Sequence, residues 1–277
     1  MAGSKMKKYF YRLYKWIFKG IPVVKVPANI TITASNKRLE GAKIMVTGGS
    51  KGIGYHLANR FVTEGAKVII VGRDESTLQK SAQELGCGWI KFDITETQNL
   101  EQLIKCGSNE LGGLTGLVNN AGICINDNGF LNVSEKSYDE QFLLNVKSPF
   151  FLTQAFIDYV IKNNIPTTSI LFITSERGLY PDVAPYGMTK AAIGNIVAGI
   201  ARKFALYGIH CNAIAPGVTA DTLGAPAIMD DIYLKGAVGK RYMLPDEIAE
   251  LATFLMSDAS KCISGETFPC NQANHYK

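Results

Sequence analysis

Short apolar runs rich in β-branched residues alternate with longer segments whose apolar residues recur at helical spacing. This alternation is typical of parallel strands, because each helix carries the chain back to the end of the sheet where the next strand starts. Six runs read as buried strands: 43–47, 67–71, 88–92, 115–119, 169–174 and 209–215. Helical patterns cover 53–64, 75–85, 96–109, 138–163, 186–206 and 245–257. The sequence therefore predicts an α/β fold with a doubly wound parallel sheet and helices on both faces.

The positive charge of the chain is concentrated at its N-terminus. Residues 1–40 hold nine basic side chains and one acidic one, so the remaining 237 residues carry a net charge of −3. We expect an amphipathic arm over 1–40 followed by a single domain over 41–277. The mildly acidic body argues against a nucleic-acid-binding protein.

The arm itself has two interpretations. Helical spacing within residues 6–22 would place aromatic and aliphatic side chains on one face and lysine and arginine side chains on the other. Peripheral contact with a membrane surface is one interpretation of this pattern, and docking on the body or on a sister subunit is the other.

Cysteine and histidine patterns indicate neither a metal site nor a disulfide framework. The six cysteines contain no C-x-x-C pair, and the three histidines lie far apart in the sequence. The sequence thus predicts no metal and favours a reducing, cytoplasmic setting.

A glycine-rich turn, TGGSKGIG, joins the first predicted strand to the first helix at residues 47–54. Its glycines permit a tight turn and close approach of a ligand, and the free N–H groups at the start of the following helix bind anions. The turn therefore predicts a pyrophosphate site. The residues expected to contact the nucleotide are Gly48, Gly49, Ser50, Lys51, Ile53 and Gly54.

The end of the second strand indicates which dinucleotide binds. Sites that prefer NAD usually place an acidic residue there to hold the ribose 2′-hydroxyl. Here the strand ends in Gly72 and Arg73, and the neighbouring Asp74 is expected to begin the next helix. A guanidinium forks onto phosphate oxygens, so Arg73 together with Lys51 favours NADP(H) as the cofactor. The alternative is that both are solvated surface charges.

Further motifs follow in order along the chain: NNAG (119–122), Asn145 in LLNVKSPF, Ser175, YGMTK (186–190) and APG (215–217). Together with the glycine turn, they resemble the short-chain dehydrogenase/reductase family, including its 3-oxoacyl-carrier-protein reductases, over nearly all of 41–271. The resemblance implies a Rossmann-type, seven-stranded sheet in one domain that holds both the cofactor and the substrate. It also implies homotetramers or homodimers built through the helices at 138–163 and 186–206.

The resemblance implies a reaction that interconverts a ketone and a secondary alcohol with NADP(H). Tyr186 would exchange a proton with the substrate oxygen, and Lys190 would hold the nicotinamide ribose. Because Lys190 lies one helical turn after Tyr186, its ammonium is expected to lower the pKa of the phenol. Ser175 would donate a hydrogen bond to the substrate oxygen, and Asn145 would position a water that links the lysine to solvent.

The resemblance also implies further cofactor contacts. Asp93 and Ile94 would sit beside the adenine, and Thr219 would meet the nicotinamide amide. The other cofactor-lining residues would be Asn120, Ala121, Gly122, Pro216 and Gly217.

Three features depart from the usual pattern of the family. Ser175 precedes Tyr186 by only eleven residues, and the C-terminal FPCNQANHYK lacks a common glycine pair. Glu176 and Arg177 stand where many relatives carry small or apolar residues. They predict either a polar contact with the substrate or an ion pair that ties down the loop.

The sequence does not determine the substrate. A 3-oxoacyl thioester, a polar sugar-like compound and a steroid-like compound all agree with the motifs. A catalytically idle nucleotide-binding sensor or scaffold, held at a membrane by its arm, is the alternative from another class. The joint presence of Asn145, Ser175, Tyr186 and Lys190 argues against it.

Overall fold

The computed structural model describes residues 37–220, 222 and 232–276. Its strands form one parallel sheet in the order β3-β2-β1-β4-β5-β6-β7, which confirms the predicted doubly wound architecture. The chain reverses its direction of winding between β1 and β4, where ligands bind in sheets of this kind. The strands are β1 (Lys43–Thr47), β2 (Lys67–Gly72), β3 (Gly88–Lys91), β4 (Gly116–Asn119), β5 (Thr168–Ile173), β6 (Ile209–Pro216) and β7 (Thr267–Cys270).

Helices cover both faces of the sheet, as predicted. Successive side chains of β1 alternate between the two layers, because strand side chains point to opposite faces. Ile44 and Val46 pack in one cluster with α1, α2 and α7, and Met45 packs in the other with α3, α5 and α6. The helices are α1 (Gly52–Thr63), α2 (Glu75–Leu85), α3 (Leu100–Leu111), α4 (Glu135–Phe142), α5 (Ser148–Lys162), α6 (Pro185–Phe204) and α7 (Pro245–Met256).

The single helix predicted over 138–163 is interrupted in the structure. Helices α4 and α5 are separated by a π-helical segment, Leu143–Lys147, which contains Asn145 with 2% of its surface exposed. π-Segments widen a helix by one residue and occur often at functional sites. The widening here turns the Asn145 side chain into the protein.

The seventh strand has no counterpart among the six strands predicted from apolar runs. β7 is short and contains Pro269, which the sequence pattern does not identify as strand. The structure places it at the edge of the sheet beside β6, where proline is tolerated.

The folded body begins before the predicted boundary at residue 41. Leu39 is 2% exposed, and the Arg38 guanidinium lies 2.7 Å from Glu64 and 3.0 Å from Glu250. Residues 38 and 39 therefore belong to the body and not to the arm. The amphipathic helix expected within 6–22 lies outside the described residues. Within the described ranges, every helix is too short or too polar to cross a bilayer.

Candidate active site

The candidate site lies where β1, β4, β5 and β6 end. All four strands are parallel, so the loops that follow them meet at one edge of the sheet. The glycine turn follows β1, the NNAG motif ends β4, Ser175 follows β5 and Gly217 follows β6. The motifs that are scattered along the sequence are thus brought together by topology.

The glycine turn, residues 47–54, forms a concave stretch of backbone, called the cradle below, that has no room for side chains at Gly48 and Gly54. Gly48 has a φ of +64°, and a Cβ on Gly54 would overlap with the carbonyl oxygen of Gly48. Asn120 fixes this shape, because its side-chain nitrogen donates to the carbonyl oxygens of Thr47 and Gly48 at 3.0 Å each. Asn120 therefore holds the backbone of the glycine turn in place.

The start of α1 adds donors to this cradle. Lys51 occupies the N-cap position of α1 and makes no side-chain capping bond. The first N–H groups of the helix thus have no cap from that side chain, and such groups are available as donors to an anion. The turn and helix start fit the pyrophosphate of a dinucleotide.

The side chains at the end of β2 differ in their freedom to bind a ligand. The Arg73 side chain is 70% exposed and lies 3.9 Å from the Asp93 carboxylate. Asp74, by contrast, caps α2, where it accepts from the Thr77 N–H at 2.7 Å. Hydrogen bonds from Thr77 and Ser76 lower the pKa of Asp74 to about 2. Asp74 caps the start of the helix, as predicted, whereas the Arg73 side chain is exposed to solvent.

The two residues expected beside the adenine, Asp93 and Ile94, follow the end of β3. Asp93 accepts hydrogen bonds from the Thr95 N–H at 3.0 Å and from the Thr95 hydroxyl at 2.8 Å. Ile94 is 5% exposed and packs in the core.

Asn145 ties the π-segment to the loop after β4. Its Oδ1 accepts from the Ile123 N–H at 2.9 Å, and its Nδ2 donates to the Ile123 carbonyl oxygen at 2.8 Å. The same Nδ2 lies 3.2 Å from the hydroxyl of Thr189, which in turn donates to the Tyr186 carbonyl oxygen at 2.7 Å. Asn145 thereby connects the NNAG loop to α6. Sequence reasoning missed Thr189, whose one signal is its position inside YGMTK.

Gly122 keeps the space beside these groups open. A Cβ on Gly122 would lie 3.1 Å from Oδ1 of Asn145 and 3.5 Å from Nζ of Lys190. Both side chains therefore border the same space next to the NNAG motif.

Ser175 and Tyr186 are neighbours at the candidate site. The Ser175 hydroxyl is close enough to the Tyr186 phenol to act on its pKa, and the Ser175 oxygen accepts from the Arg177 N–H at 3.3 Å. Burial raises the pKa of Tyr186 to about 12, and the neighbouring Ser175 hydroxyl and the Arg177 charge oppose that rise. At neutral pH the phenol therefore holds its proton.

Lys190 is buried with its ammonium against the end of β5. Its Nζ donates to the Ile173 carbonyl oxygen at 3.0 Å and lies 5.5 Å from the centre of the Tyr186 ring. Burial lowers the pKa of Lys190 to about 8. The expected lowering of the Tyr186 pKa by this lysine is not found, because burial dominates the phenol and the ammonium is directed to a backbone oxygen.

The loop between Ser175 and α6 is tied down by an ion pair. The Arg177 Nε lies 2.6 Å from Oδ2 of Asp182, and the guanidinium carbon lies 5.5 Å from the centre of the Tyr186 ring. Of the two interpretations of Arg177, the structure contains the ion pair. Glu176 is 5% exposed and faces Asn271 and Asn274, so it does not face open space as a substrate contact would.

Cys124 is a further side chain near the phenol that sequence reasoning missed. It is exposed, the Arg177 charge acts on its pKa, and its own charge state influences the pKa values of Tyr186 and Lys190. Its position two residues after NNAG is the signal that identifies it.

The loop after β6 is held to the C-terminal strand. Gly217 donates its N–H to the Cys270 carbonyl oxygen at 3.1 Å, and the Thr219 hydroxyl donates to the Gly217 carbonyl oxygen at 2.9 Å. Pro216 is the last residue of β6. Gly217 is thus bound to β7, and Thr219 is bound to Gly217.

Comparisons with known proteins agree with this geometry. Residues 48–272 match the family model described as "Enoyl-(Acyl carrier protein) reductase". The chain is 31% identical over 252 residues to 2-(S)-hydroxypropyl-CoM dehydrogenase 3 of Xanthobacter autotrophicus, covering 84% of this chain and 96% of the relative. It is 32% identical over 258 residues to galactitol 2-dehydrogenase of Agrobacterium fabrum, covering 86% and 98%.

A solved structure shares the fold. A short-chain type dehydrogenase/reductase from Mycobacterium marinum superposes with a TM-score of 0.77 at 23% identity, covering 85% of this chain and 96% of that one.

Proposed function

The chain belongs to the short-chain dehydrogenase/reductase family, and we propose that it uses NADP(H) to interconvert a ketone and a secondary alcohol on a small polar molecule. The family assignment makes the chain an oxidoreductase of alcohol and carbonyl groups with a nicotinamide cofactor. The choice of NADP(H), the substrate and the roles of the site residues are the proposal.

The placement of Ser175 directly after β5, beside Tyr186 and Lys190 on α6, is the observation that carries the proposal. A phenol with a pKa of about 12 keeps its proton at neutral pH, so Tyr186 is ready to act as the acid in reduction. The Ser175 hydroxyl would donate to the carbonyl oxygen of the substrate and stabilise the negative charge that develops there. The bound nicotinamide supplies or accepts the hydride.

Lys190 and Asn145 would support this proton transfer. The Lys190 ammonium has three donors, of which one reaches the Ile173 carbonyl oxygen. The other two would be left for the ribose hydroxyls of the nicotinamide nucleotide. Asn145 holds the loop after β4 beside this ammonium, and the path from the lysine to solvent would run past it.

The preference for NADP(H) rests on the side chains at the end of β2. Arg73 is exposed there, and Lys51 stands at the start of α1. Asp74 caps α2 through its Oδ1 and belongs to the helix cap, one residue past Arg73. Two cations at this end of the cofactor site suit a 2′-phosphate.

The substrate proposal draws on the relatives and on the loop over the site. The two relatives are named for a hydroxypropyl and a galactitol compound, both of which carry hydroxyl groups. The Arg177–Asp182 pair makes the loop beside Tyr186 polar. These features favour a polar hydroxy or oxo compound, and a 3-oxoacyl thioester is the second candidate. An idle scaffold is disfavoured, because it has no need of the Ser175–Tyr186 pair.

A panel of polar hydroxy and oxo compounds, followed through NADPH and NADH absorbance, identifies the activity. With an active substrate in hand, Tyr186→Phe should lower kcat by at least about 100-fold, because it removes the proton donor. The affinity for NADPH should stay within about twofold in the same preparation, since the glycine turn and Arg73, which carry the expected phosphate contacts, are unchanged. Tyr207→Phe, at an exposed tyrosine, is the matched control. Retained turnover in Tyr186→Phe would overturn the proposed mechanism.

A further inference from the structure

We propose that Glu176 is a positioning residue: its buried carboxylate holds the turn that carries Ser175 against the C-terminal segment, residues 271–276. The proposal rests on the function proposed above, since it concerns the residue that would hydrogen-bond the substrate oxygen. It assigns a task to a carboxylate that the reaction itself does not use.

The carboxylate of Glu176 is bound by two side-chain amides from a distant part of the chain. Nδ2 of Asn271 donates to Oε2 at 3.0 Å, and Nδ2 of Asn274 donates to Oε1 at 2.7 Å. All three side chains are at least nine-tenths buried, with exposed fractions of 5%, 4% and 9%. Hydrogen bonds to a buried charged group are strong, and an unmatched polar atom there is costly.

The two amides are fixed in one orientation. Oδ1 of Asn271 lies 3.0 Å from Nδ1 of His275, which donates to it, and Oδ1 of Asn274 accepts from the Val238 N–H at 3.2 Å. Rotating either amide would turn its oxygen towards the Glu176 carboxylate, where two acceptors would face each other. Glu176 must therefore offer an acceptor to each amide, which a carboxylate does and a glutamine side chain does not.

The turn that follows Ser175 is packed between this clamp and α6. Gly178 donates its N–H to the Ser175 carbonyl oxygen at 2.9 Å, and Leu179 donates to the Glu176 carbonyl oxygen at 3.0 Å. On the other side, a Cβ on Gly178 would lie 2.6 Å from the backbone of Lys190. The turn thus has α6 on one side and the Glu176 side chain anchoring it on the other.

The same carboxylate reaches the loop after β6. A Cβ on Gly217 would lie 3.3 Å from Oε2 of Glu176 and 2.9 Å from Cβ of Asn271. Glu176 therefore lies between the Ser175 turn, the loop expected beside the nicotinamide and the C-terminal segment. A displacement of about 1 Å at a positioned group costs on the order of 100-fold in rate, so this junction is placed to set the distance from Ser175 to the substrate.

The test compares Glu176→Gln with the exchanged pair Glu176→Gln/Asn274→Asp. In the exchanged pair the glutamine oxygen still accepts from Asn271, its nitrogen donates to residue 274, and that residue's second oxygen still accepts from the Val238 N–H. In Glu176→Gln we expect kcat to fall at least about tenfold, while the NADPH affinity and the substrate KM stay within about threefold of wild type. In the exchanged pair, kcat should recover at least half of that loss. Glu40→Gln, at a side chain that is 65% exposed, is the matched control.

Hydrogen exchange of the peptide covering 174–184 gives a second readout that does not depend on turnover. The Gly178 and Leu179 amides should exchange faster in Glu176→Gln and regain protection in the exchanged pair. If the wild type shows no turnover, the proposed function fails, while exchange still tests the clamp. If Glu176→Gln does not fold, Asn274→Ala, which removes one donor, carries the same comparison with wild type.

Two results would overturn the inference. One is unchanged kcat and unchanged exchange in a folded Glu176→Gln. The other is an exchanged pair no better than Glu176→Gln, because donor and acceptor matching would then be irrelevant.

Discussion

Replacing Lys190 by methionine tests the energetic cost of the buried ammonium. Burial lowers the pKa of Lys190 from an ordinary value of 10.5 to about 8 in the folded protein. Between these two pH values the unfolded chain binds more protons than the folded one, so the unfolding free energy of the wild type rises with pH. The burial cost is fully present below pH 8 and is relieved as the pH approaches 10.5. Methionine fills the same space without a charge and lacks this dependence.

The magnitude follows from the size of the shift. Each pKa unit corresponds to about 1.4 kcal/mol, so the wild type should gain about 2 kcal/mol between about pH 7 and about pH 9.5. At neutral pH the variant is relieved of about 3 kcal/mol of burial cost, but it leaves the Ile173 carbonyl oxygen unpaired, which costs about 1–3 kcal/mol. These two effects oppose each other at neutral pH and leave a net change of about 0–2 kcal/mol. The change of the difference with pH is therefore the informative quantity.

Urea unfolding at about pH 7 and at about pH 9.5 measures this quantity. The stability of Lys190→Met relative to wild type should fall by about 2 kcal/mol between the two pH values, because all other titrating groups are shared. Lys105→Met, at an exposed lysine of α3, should keep a constant difference from wild type. A constant difference for Lys190→Met as well would refute the assigned burial cost.

Three further changes test the cofactor site and the arm. Arg73→Asp should shift the ratio of kcat/KM values from NADPH towards NADH by about tenfold or more, since a carboxylate repels a 2′-phosphate and accepts from a 2′-hydroxyl; an unchanged ratio would remove Arg73 from the site. Gly54→Ala should abolish dinucleotide binding measured by fluorescence titration, because its Cβ would overlap with the Gly48 carbonyl oxygen; tight binding by the folded variant would contradict the cradle. Deletion of residues 1–22 should release the protein from anionic vesicles in a flotation assay, and a full-length protein that never floats would exclude the membrane-surface interpretation.

The sheet was accessible from sequence because its signals are local. The central strands are apolar runs that end at the glycine turn, NNAG, Ser175 and APG, and parallel topology carries those motifs to one edge. β7 was not predicted from the sequence pattern because it is four residues long and contains Pro269. The break between α4 and α5 was not predicted because both segments have the same helical periodicity. Its position agrees with the bonds of Asn145 to Ile123 and Thr189, which only the fold brings together.

The sequence identifies which residues are candidates for the site, but it does not predict the pKa values of their side chains. The spacing of Tyr186 and Lys190 predicts a shared helix face, and both belong to α6. The directions of their pKa values depend on burial, which spacing does not report. The partners of Glu176 are separated from it by 95 and 98 residues, so no local pattern indicates that it is bound internally.

The proline of β7 has a consequence for how copies of this chain meet. The carbonyl groups of Glu266 and Cys270 both point to β6, as acceptors for Ala213 and Gly217. Backbone groups alternate sides along a strand, so Pro269 turns its nitrogen to the free edge and offers no N–H there. A strand from a second molecule that paired with this edge would lack one N–H donor, at Pro269. The missing hydrogen bond disfavours aggregation through this edge of the sheet.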